Sequence, residues 1–351
     1  MRILDKHIIK EFLRYYFPFA FFFIAIFILT DFFTSMAHFK KEVSFFEIGI
    51  YYLLQIPFLL VVLSPLSVII SGLFVTSFFS STNQFQAMQV SGISGKRTLL
   101  PLLTTGLVIG FLLLFIDNTV VYKVNHLSYR LKEKIFTGII EAKVQRNIFV
   151  AVPPDYLFYA RSLNSQKGIM TDILIYKNSE PPVLICAREA KWKGNFWTLS
   201  RGNRYTLLNE DIKEQTFNEK VIPVNKNPGY FTRKYFPPER MNIQELSTYI
   251  SEYSRGGFKT EDLETELQFK ISSPFSNFIL MLLALPLGVI LKRGGKGASL
   301  AVGLLMSFGY FELTAFFKAL GKSGVLDPLT TAWLANLLFA IVGIYLIYKM
   351  E

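Results

Sequence analysis

The chain has 351 residues, 51% of them hydrophobic, and its 35 Phe are more than a water-soluble domain of this length ordinarily carries. Its single cysteine, Cys186, excludes an intramolecular disulfide and a cysteine-based metal site, and its three histidines lie far apart. The formal net charge of +11 would suit nucleic acid, but many of the basic residues border apolar runs, which is typical of membrane proteins. We therefore expect no metal, no cofactor and no nucleic acid as ligands.

Three apolar segments lie in the first third of the chain, at residues 12–33, 48–79 and 99–116. Each is long enough to cross a hydrocarbon layer of about 30 Å as a helix. Pro57 and Pro65 favour a membrane helix in the second segment, because neighbouring helices can satisfy the backbone groups that proline leaves free. The first segment is longer than the apolar core of a signal peptide, so we expect it to be retained. Asp117 is expected to end the third span.

The pattern changes over residues 121–240, where short alternating runs such as 173–176 and 183–186 are separated by turn residues. Short strands at this spacing predict an all-β sandwich or barrel. Residues 241–268 are predicted to form connecting helices, the first of them capped by Asn242.

Three further apolar segments follow, at about 271–291, 298–317 and 329–348. The fold class predicted is therefore a polytopic α-helical membrane protein with six transmembrane helices and an inserted extracytoplasmic all-β domain. Its boundaries are 1–120 for the first three spans, 121–240 for the β domain, 241–268 for the connecting helices and 269–351 for the last three spans. The basic short loops place both termini in the cytoplasm and the β domain outside.

The sequence bears on two kinds of chemistry, nucleotide binding and ion transport. The glycines of Gly92-Ile93-Ser94-Gly95-Lys96-Arg97 are separated by two residues rather than four, and Arg97 follows Lys96, so this is not a phosphate-binding loop. We therefore predict a chain without catalytic activity of its own. Glu312 and Lys318 are charged residues in or beside the fifth span, where such groups mark an ion pathway or, for Glu312, a buried helix contact.

A short amphipathic helix is predicted at about 82–92, between the second and third spans on the cytoplasmic side. It contains Gln84, Phe85 and Met88, and Gly92 is expected to end it. Such a helix has the right shape to dock in a groove of a partner protein, although a helix that lies on the membrane surface has the same pattern.

Several segments, taken in order, resemble the LptF/LptG family of lipopolysaccharide export permeases. They are Leu4-Asp5-Lys6-His7-Ile8-Ile9-Lys10, Met88-Gln89-Val90-Ser91-Gly92-Ile93-Ser94, Lys270-Ile271-Ser272-Ser273-Pro274, Leu283-Ala284-Leu285-Pro286-Leu287-Gly288, and Gly321 through Trp333 with Asn336. The resemblance covers essentially the full chain and is closer to LptG than to LptF.

The resemblance implies a permease in the bacterial inner membrane that extracts lipopolysaccharide with energy from a separate ATPase. The implied partners are a dimer of an LptB-like ATPase, a second permease of the LptF type, an LptC-like single-span protein and an LptA-like periplasmic bridge. The outer domain is implied to be a β-jellyroll, and spans one and five to line the lipid gate.

Residue roles follow from the same resemblance. The helix at 82–92 would be the coupling helix, with Gln84 at a position that is usually acidic and with Phe85, Met88 and Gly92 in the ATPase-coupling segment. Lys40 and Lys41 would contact the phosphorylated head of the lipid, and Thr34 occupies a position that is basic in relatives. Two other hypotheses stay open: a membrane-anchored scaffold and an ion-coupled transporter.

Overall fold

The computed structural model describes residues 3–40, 43–137, 144–152, 155–207, 212–231, 237–255, 258–291 and 295–349. The chain divides into two compact units. The membrane unit comprises Met1–Gly138 and Glu261–Glu351, and the β unit comprises Ile139–Thr260. An all-β domain inserted between the third and fourth spans confirms the predicted fold class.

Most of the described chain outside the β unit is helical. The α-helices are α1 (Ile3–Ser35), α2 (Phe45–Ser81), α3 (Gln84–Val90), α4 (Gly95–Ile116), α5 (Tyr122–Thr137), α6 (Pro228–Phe231), α7 (Ile243–Arg255), α8 (Glu261–Ile290), α9 (Gly295–Lys322) and α10 (Pro328–Lys349). Six of them, α1, α2, α4, α8, α9 and α10, are long and apolar enough to cross a membrane. The number and order of the predicted spans are thus confirmed.

Helices α2 and α8 form the centre of the membrane unit. In their most apolar windows 61% and 67% of the residues are buried, against 11% in α1 and 17% in α9. Helix α2 packs against α1, α8 and α9, and α8 also packs against α4 and α10. The spans at the periphery therefore depend on α2 and α8 for their position.

Small residues allow the central helices to approach closely. A Cβ atom at Gly110 of α4 would lie 2.1 Å from the carbonyl oxygen of Pro274 in α8, and one at Gly288 would lie 1.7 Å from Oγ1 of Thr76 in α2. Pro274 has no N–H to offer the carbonyl of Lys270. The Ser273 hydroxyl donates to that carbonyl instead, at 2.8 Å.

The third span does not end at Asp117, and this expectation was wrong. The helix continues through a π-helical segment, Asp117–Val121, directly into α5. The charge that was expected to stop the helix is neutralised, because Lys270 Nζ lies 2.8 Å from Asp117 Oδ2. Helix α5 then packs on α2, where Ile135 is fully buried beside Tyr51 and Tyr52.

The expected domain boundary at residue 121 is corrected accordingly. Residues 122–137 are helical and belong to the membrane unit, and the described strands begin only at residue 144. At the other end, α7 belongs to the β unit, whereas α8 merges the second connecting helix and the fourth span into one helix. Asn242 caps α7 as expected, since its Oδ1 accepts from the Glu245 N–H at 2.6 Å.

The β unit is built on one six-stranded antiparallel sheet. Its strands are β1 (Val144–Val152), β2 (Tyr156–Asn164), β3 (Ile169–Lys177), β4 (Val183–Trp192), β5 (Trp197–Leu207) and β6 (Ile212–Ile222). They neighbour one another in chain order. In the described residues the sheet is therefore a meander, without the crossovers that connect the strands of a regular jellyroll.

The sheet is interrupted along one line that crosses all six strands. On each strand, one residue on this line is left out of the register pairs. These residues lie opposite one another and are Asn147, Arg161, Asp172, Arg188, Arg201 and Asn218. Asp172 and Arg201 have positive φ angles of 46° and 52°. In β4 the buried positions change from 183, 185 and 187 to 190 at the same line. Both strands of each pair skip one residue, so the register is unchanged across this line, but the set of residues that face inward shifts there.

The core of the β unit lies on one face of this sheet. Trp197 is fully buried there, and its indole N–H donates to the Lys226 carbonyl at 2.9 Å. The rings of Trp192 and Phe231 lie 5.3 and 5.4 Å from the Trp197 ring. The face that carries this core is called the inner face below.

Candidate functional site

The short helix predicted between the second and third spans is present as α3, a helix of seven residues between α2 and α4. It follows Asn83, which has a left-handed φ of 59°, and it ends before Gly92, whose φ is 81°. The Gly92 N–H donates to the Gln89 carbonyl at 2.9 Å. Gly92 therefore ends this helix as predicted, because only glycine adopts this conformation without strain.

The two faces of α3 have different surroundings. Phe85 turns toward the membrane unit, where its ring lies 5.9 Å from the Phe79 ring in a cluster that includes Ile8. Gln84 and Met88 are half-buried, whereas the face that points away is exposed and consists of Gln86, Ala87, Gln89 and Val90. Val90 is 90% exposed. Phe85 is thus placed to anchor the helix, and a partner would meet the exposed face.

An ion pair ties the segment after α3 to the start of α1. Arg97 in the first turn of α4 donates to Asp5 Oδ2 at 3.1 Å. The contact links α1 to the first turn of α4, which begins shortly after α3 ends. Sequence reasoning missed this pair because its partners lie 92 residues apart.

At the opposite end of α1 lie the residues predicted to contact the lipid. Thr34 and Lys40 are both exposed. The Thr34 hydroxyl donates to the Thr30 carbonyl at 2.8 Å, and the Lys40 N–H donates to the Ile135 carbonyl at 3.0 Å. The backbone at Lys40 is thus held against α5 while its side chain is free to meet a ligand. Lys41 lies outside the described residues.

The two intramembrane charges predicted from sequence have different surroundings. Lys318 Nζ lies 2.8 Å from Oε1 of Glu266, and Lys322 Nζ lies 2.6 Å from the same oxygen. Glu266 is 2% exposed, so these lysines neutralise a buried carboxylate. Glu312, by contrast, is exposed on α9, so the alternative of a buried contact between helices is wrong.

Several other polar side chains of the membrane unit form hydrogen bonds with one another. Tyr16 and Ser64 share a hydrogen bond of 2.9 Å, and Ser64 donates to Asn277 at 3.2 Å. Tyr310 donates to Asn336 at 2.7 Å. The described residues hold no group of three or more His, Cys, Asp or Glu side chains that could bind a metal ion.

Exposed apolar side chains cover the outward faces of the peripheral spans of the membrane unit. On α1 they include Phe17, Phe21, Phe22 and Phe33, and on α9 they include Leu305, Phe308 and Phe316. Both helices pack on α2. Their outward faces can therefore meet only lipid, cargo or another membrane chain.

Six candidate spans, interrupted after the third by one inserted β unit, define a polytopic membrane protein. A model of the family described as "Lipopolysaccharide export system permease LptF/LptG" matches residues 6–349. The chain belongs to this family, as its sequence motifs predicted.

Three relatives illustrate the match. An uncharacterized protein from Rickettsia prowazekii is 25% identical over 270 residues, which are 70% of this chain and 69% of that protein. The lipopolysaccharide export system permease protein LptG of Escherichia coli K12 is 20% identical over 310 residues, 86% of this chain and 85% of LptG. LptF of the same strain is 30% identical over 87 residues, 25% of this chain and 24% of LptF. The LptG alignment spans more of the chain, which agrees with the predicted resemblance.

Proposed function

We propose that this chain is a permease subunit of a lipopolysaccharide exporter and occupies the LptG-like position. The observation that carries the proposal is the family match over residues 6–349, together with six spans that enclose an inserted β unit. The chain makes and breaks no bonds in this role. It offers the lipid a favourable site in one conformation and an unfavourable one in another.

The lipid is proposed to enter beside α1 and α9. Both helices carry wide apolar faces, and only 11% and 17% of the residues in their apolar windows are buried. A second permease of the LptF type would cover the remaining sides, so that acyl chains lie between two membrane units. Glu312 on the exposed side of α9 would then face this cavity or the second permease, because an unpaired carboxylate against lipid is costly.

Lys40 and Lys41, with Thr34 nearby, are proposed to contact the phosphorylated head of the lipid. The Lys40 side chain is exposed, and its backbone is fixed by the hydrogen bond to Ile135. An ammonium group held at this end of α1 attracts phosphate oxygens. The contact would orient the lipid with its head beside the outer end of α1.

Helix α3 is proposed to dock on a dimer of an LptB-like ATPase. Its exposed face from Gln86 to Val90 would lie in a groove of the ATPase, while Phe85 holds the helix on the membrane unit. Because Gln84 is neutral, its contact would be an ordinary hydrogen bond and not a charge-assisted one. The Asp5–Arg97 pair would pass movement of α3 to α1.

The remaining assignments concern location and further partners. Basic residues at the start of α1, in the loop after α3, at the start of α9 and at the end of α10 favour an orientation in the bacterial inner membrane with both termini in the cytoplasm. The β unit would then lie in the periplasm, where an LptC-like single-span protein and an LptA-like bridge would receive the lipid.

Co-purification of the tagged full chain with the ATPase tests the proposal. Val90→Asp places a charge on the exposed face of α3 and should release the ATPase, whereas Val221→Asp, at a 52% exposed position in the β unit, should not. Retention of the ATPase by Val90→Asp at wild-type yield would contradict docking through α3. If Val90→Asp releases the ATPase and lipid export is nevertheless retained, the scaffold hypothesis is favoured.

Replacing Glu312 separates the exporter from an ion-coupled transporter. Glu312→Gln should leave ATP-dependent lipid release intact, or reduce it without creating a dependence on an ion gradient. If release instead requires a proton or sodium gradient and is abolished by Glu312→Gln, the ion-coupled hypothesis is correct.

A further inference from the structure

The edge of the β unit formed by β5 and β6 carries basic residues on the inner face. Val183 and Ile185 of β4 belong to the apolar core, and their register partners on β5 are Thr206 and Arg204. Paired residues of an antiparallel ladder point to the same side of the sheet. Arg204 therefore lies on the face that carries the core.

Lys220 of β6 lies on the same face, because its register partner is the fully buried Leu199. Phe217 lies opposite Gly202, where a Cβ atom would come within 2.7 Å of the phenyl ring. The ring thus occupies the space that the glycine leaves free. Lys220 Nζ lies 5.6 Å from the centre of this ring, so a cation and an apolar surface adjoin at this edge.

The two cations have no anionic partner among the described residues of this face. Nε of Arg204 is buried and has no hydrogen-bond partner there, an arrangement that is costly unless a ligand supplies one. Burial and the positive charge of Arg204 lower the pKa of Lys220. The carboxylates of β6 have other contacts: Glu214 accepts from Asn203 at 2.7 Å, and Glu219 lies 3.5 Å from Lys193.

We infer that the inner face at β5 and β6 binds a phosphate group of an amphiphilic lipid. The guanidinium of Arg204 would donate to the phosphate oxygens, and Lys220 would supply a second positive charge. The acyl chains would lie along Phe217 and the apolar residues beside it. This inference deepens the proposed function and depends on it, since it assigns a phosphate-reading site within the β unit.

Photocrosslinking of the full chain in lipid nanodiscs tests the inference. Gln215, the exposed register partner of Arg204, is replaced with a photoreactive benzoylphenylalanine. The probes are lipid A and the same lipid A after removal of its phosphates. We expect crosslinking to lipid A to fall by about tenfold on dephosphorylation and by a similar factor in Arg204→Gln/Lys220→Gln, because charge-assisted contacts are lost.

Arg188→Gln is the matched control, because Arg188 is an exposed arginine of the same sheet that is a register partner of neither Arg204 nor Lys220. It should leave crosslinking unchanged. Gel filtration and tryptophan fluorescence confirm that each variant is folded, and the single variants Arg204→Gln and Lys220→Gln provide a milder change. Equal crosslinking by both probes, or by folded variants and wild type, would overturn the inference.

A second photoreactive residue at Phe27, an exposed position on α1, separates the inference from the proposed function. Crosslinking at position 27 but not at 215 would overturn the phosphate site and leave the permease role intact. Failure at both positions would contradict the permease role itself. Free phosphate is the other possible ligand, and calorimetry with inorganic phosphate tests it. If phosphate binding depends on Arg204 and no lipid crosslinks at position 215, the site binds free phosphate and the lipid assignment is overturned.

Discussion

At Gly110 a single hydrogen atom decides how closely α4 approaches α8. A methyl group there would lie 2.1 Å from the Pro274 carbonyl oxygen, and backbone atoms cannot move aside cheaply. We expect Gly110→Ala to lower the free energy of unfolding by about 1–3 kcal/mol. Thermal unfolding in detergent measures this loss. Gly309→Ala in α9 is the control, because its Cβ meets nothing within 4 Å; equal effects of the two variants would contradict the packing described.

The buried carboxylate of Glu266 is neutralised by two lysines. Lys318 and Lys322 both lie within 3 Å of one of its carboxylate oxygens, and their side chains are 29% and 37% exposed. Either lysine alone should therefore suffice, so Lys318→Gln and Lys322→Gln should each cost little stability. The double variant leaves a buried carboxylate unpaired, at a cost of up to about 3 kcal/mol that partial exposure of the lysines reduces.

Thermal unfolding of the two single variants and the double variant measures this coupling. Adding Glu266→Gln to the double variant removes the unpaired charge and should restore most of the lost stability. Additive losses without such restoration would show that the lysines do not share one partner.

Among the elements, the π-helical segment Asp117–Val121 sets the direction of α5. Deleting Thr119 should restore regular α-helical geometry and rotate α5 by about 100° relative to α4. This rotation would move Lys134 away from Glu47, with which it forms an ion pair. Cysteines at 47 and 134 in a Cys186→Ser background should be joined by a short bismaleimide in the parent chain and not in the deletion variant.

Thr119→Ala is the control for that experiment, since it removes only the hydroxyl that donates to the Phe115 carbonyl at 2.7 Å. Crosslinking should persist in this variant. A deletion variant that crosslinks as well as its parent would show that the π-helical segment does not determine the orientation of α5.

Helix α5 also shows which elements could be predicted from the sequence. Continuous apolar runs predicted the six spans, because crossing a bilayer requires them. The polar segment at 122–137 has no such run, so its composition favours the β domain over a span. A signal was available: Leu127, Leu131 and Ile135 recur every four residues, which is a helical period. The π-helical segment had none in the local sequence, and the partner of its first residue, Asp117, is Lys270, 153 residues away.

The candidate site likewise has some features that the local sequence predicts and others that it does not. The position of α3 and its end at Gly92 followed from local sequence, since a glycine with positive φ ends a helix. Which face of α3 is exposed did not follow, because Phe85 is turned inward by Phe79 and Ile8, which lie on other helices. The partners of Glu266 and the basic inner face of β5 and β6 likewise depend on contacts between separate elements.

For the whole molecule, the proposed mechanism requires α3 and the β unit to lie on opposite sides of the membrane. Helix α3 can meet a cytoplasmic ATPase only if the β unit lies on the other side, because α2 precedes α3 and α4 follows it. The positive-inside rule favours this orientation. Cys186 must be replaced before it is tested by cysteine labelling, although burial raises the pKa of its thiol and slows its reaction.

Gln86→Cys on α3 and Asn178→Cys after β3, each in a Cys186→Ser background, occupy exposed positions on the two proposed sides. In cells whose outer membrane alone is permeabilised, a membrane-impermeant maleimide should label position 178 and not 86. Disrupting the inner membrane should expose both and serves as the control for reactivity. The reverse pattern would put α3 outside, where no ATP is hydrolysed, and the ATPase-driven permease role would have to be abandoned.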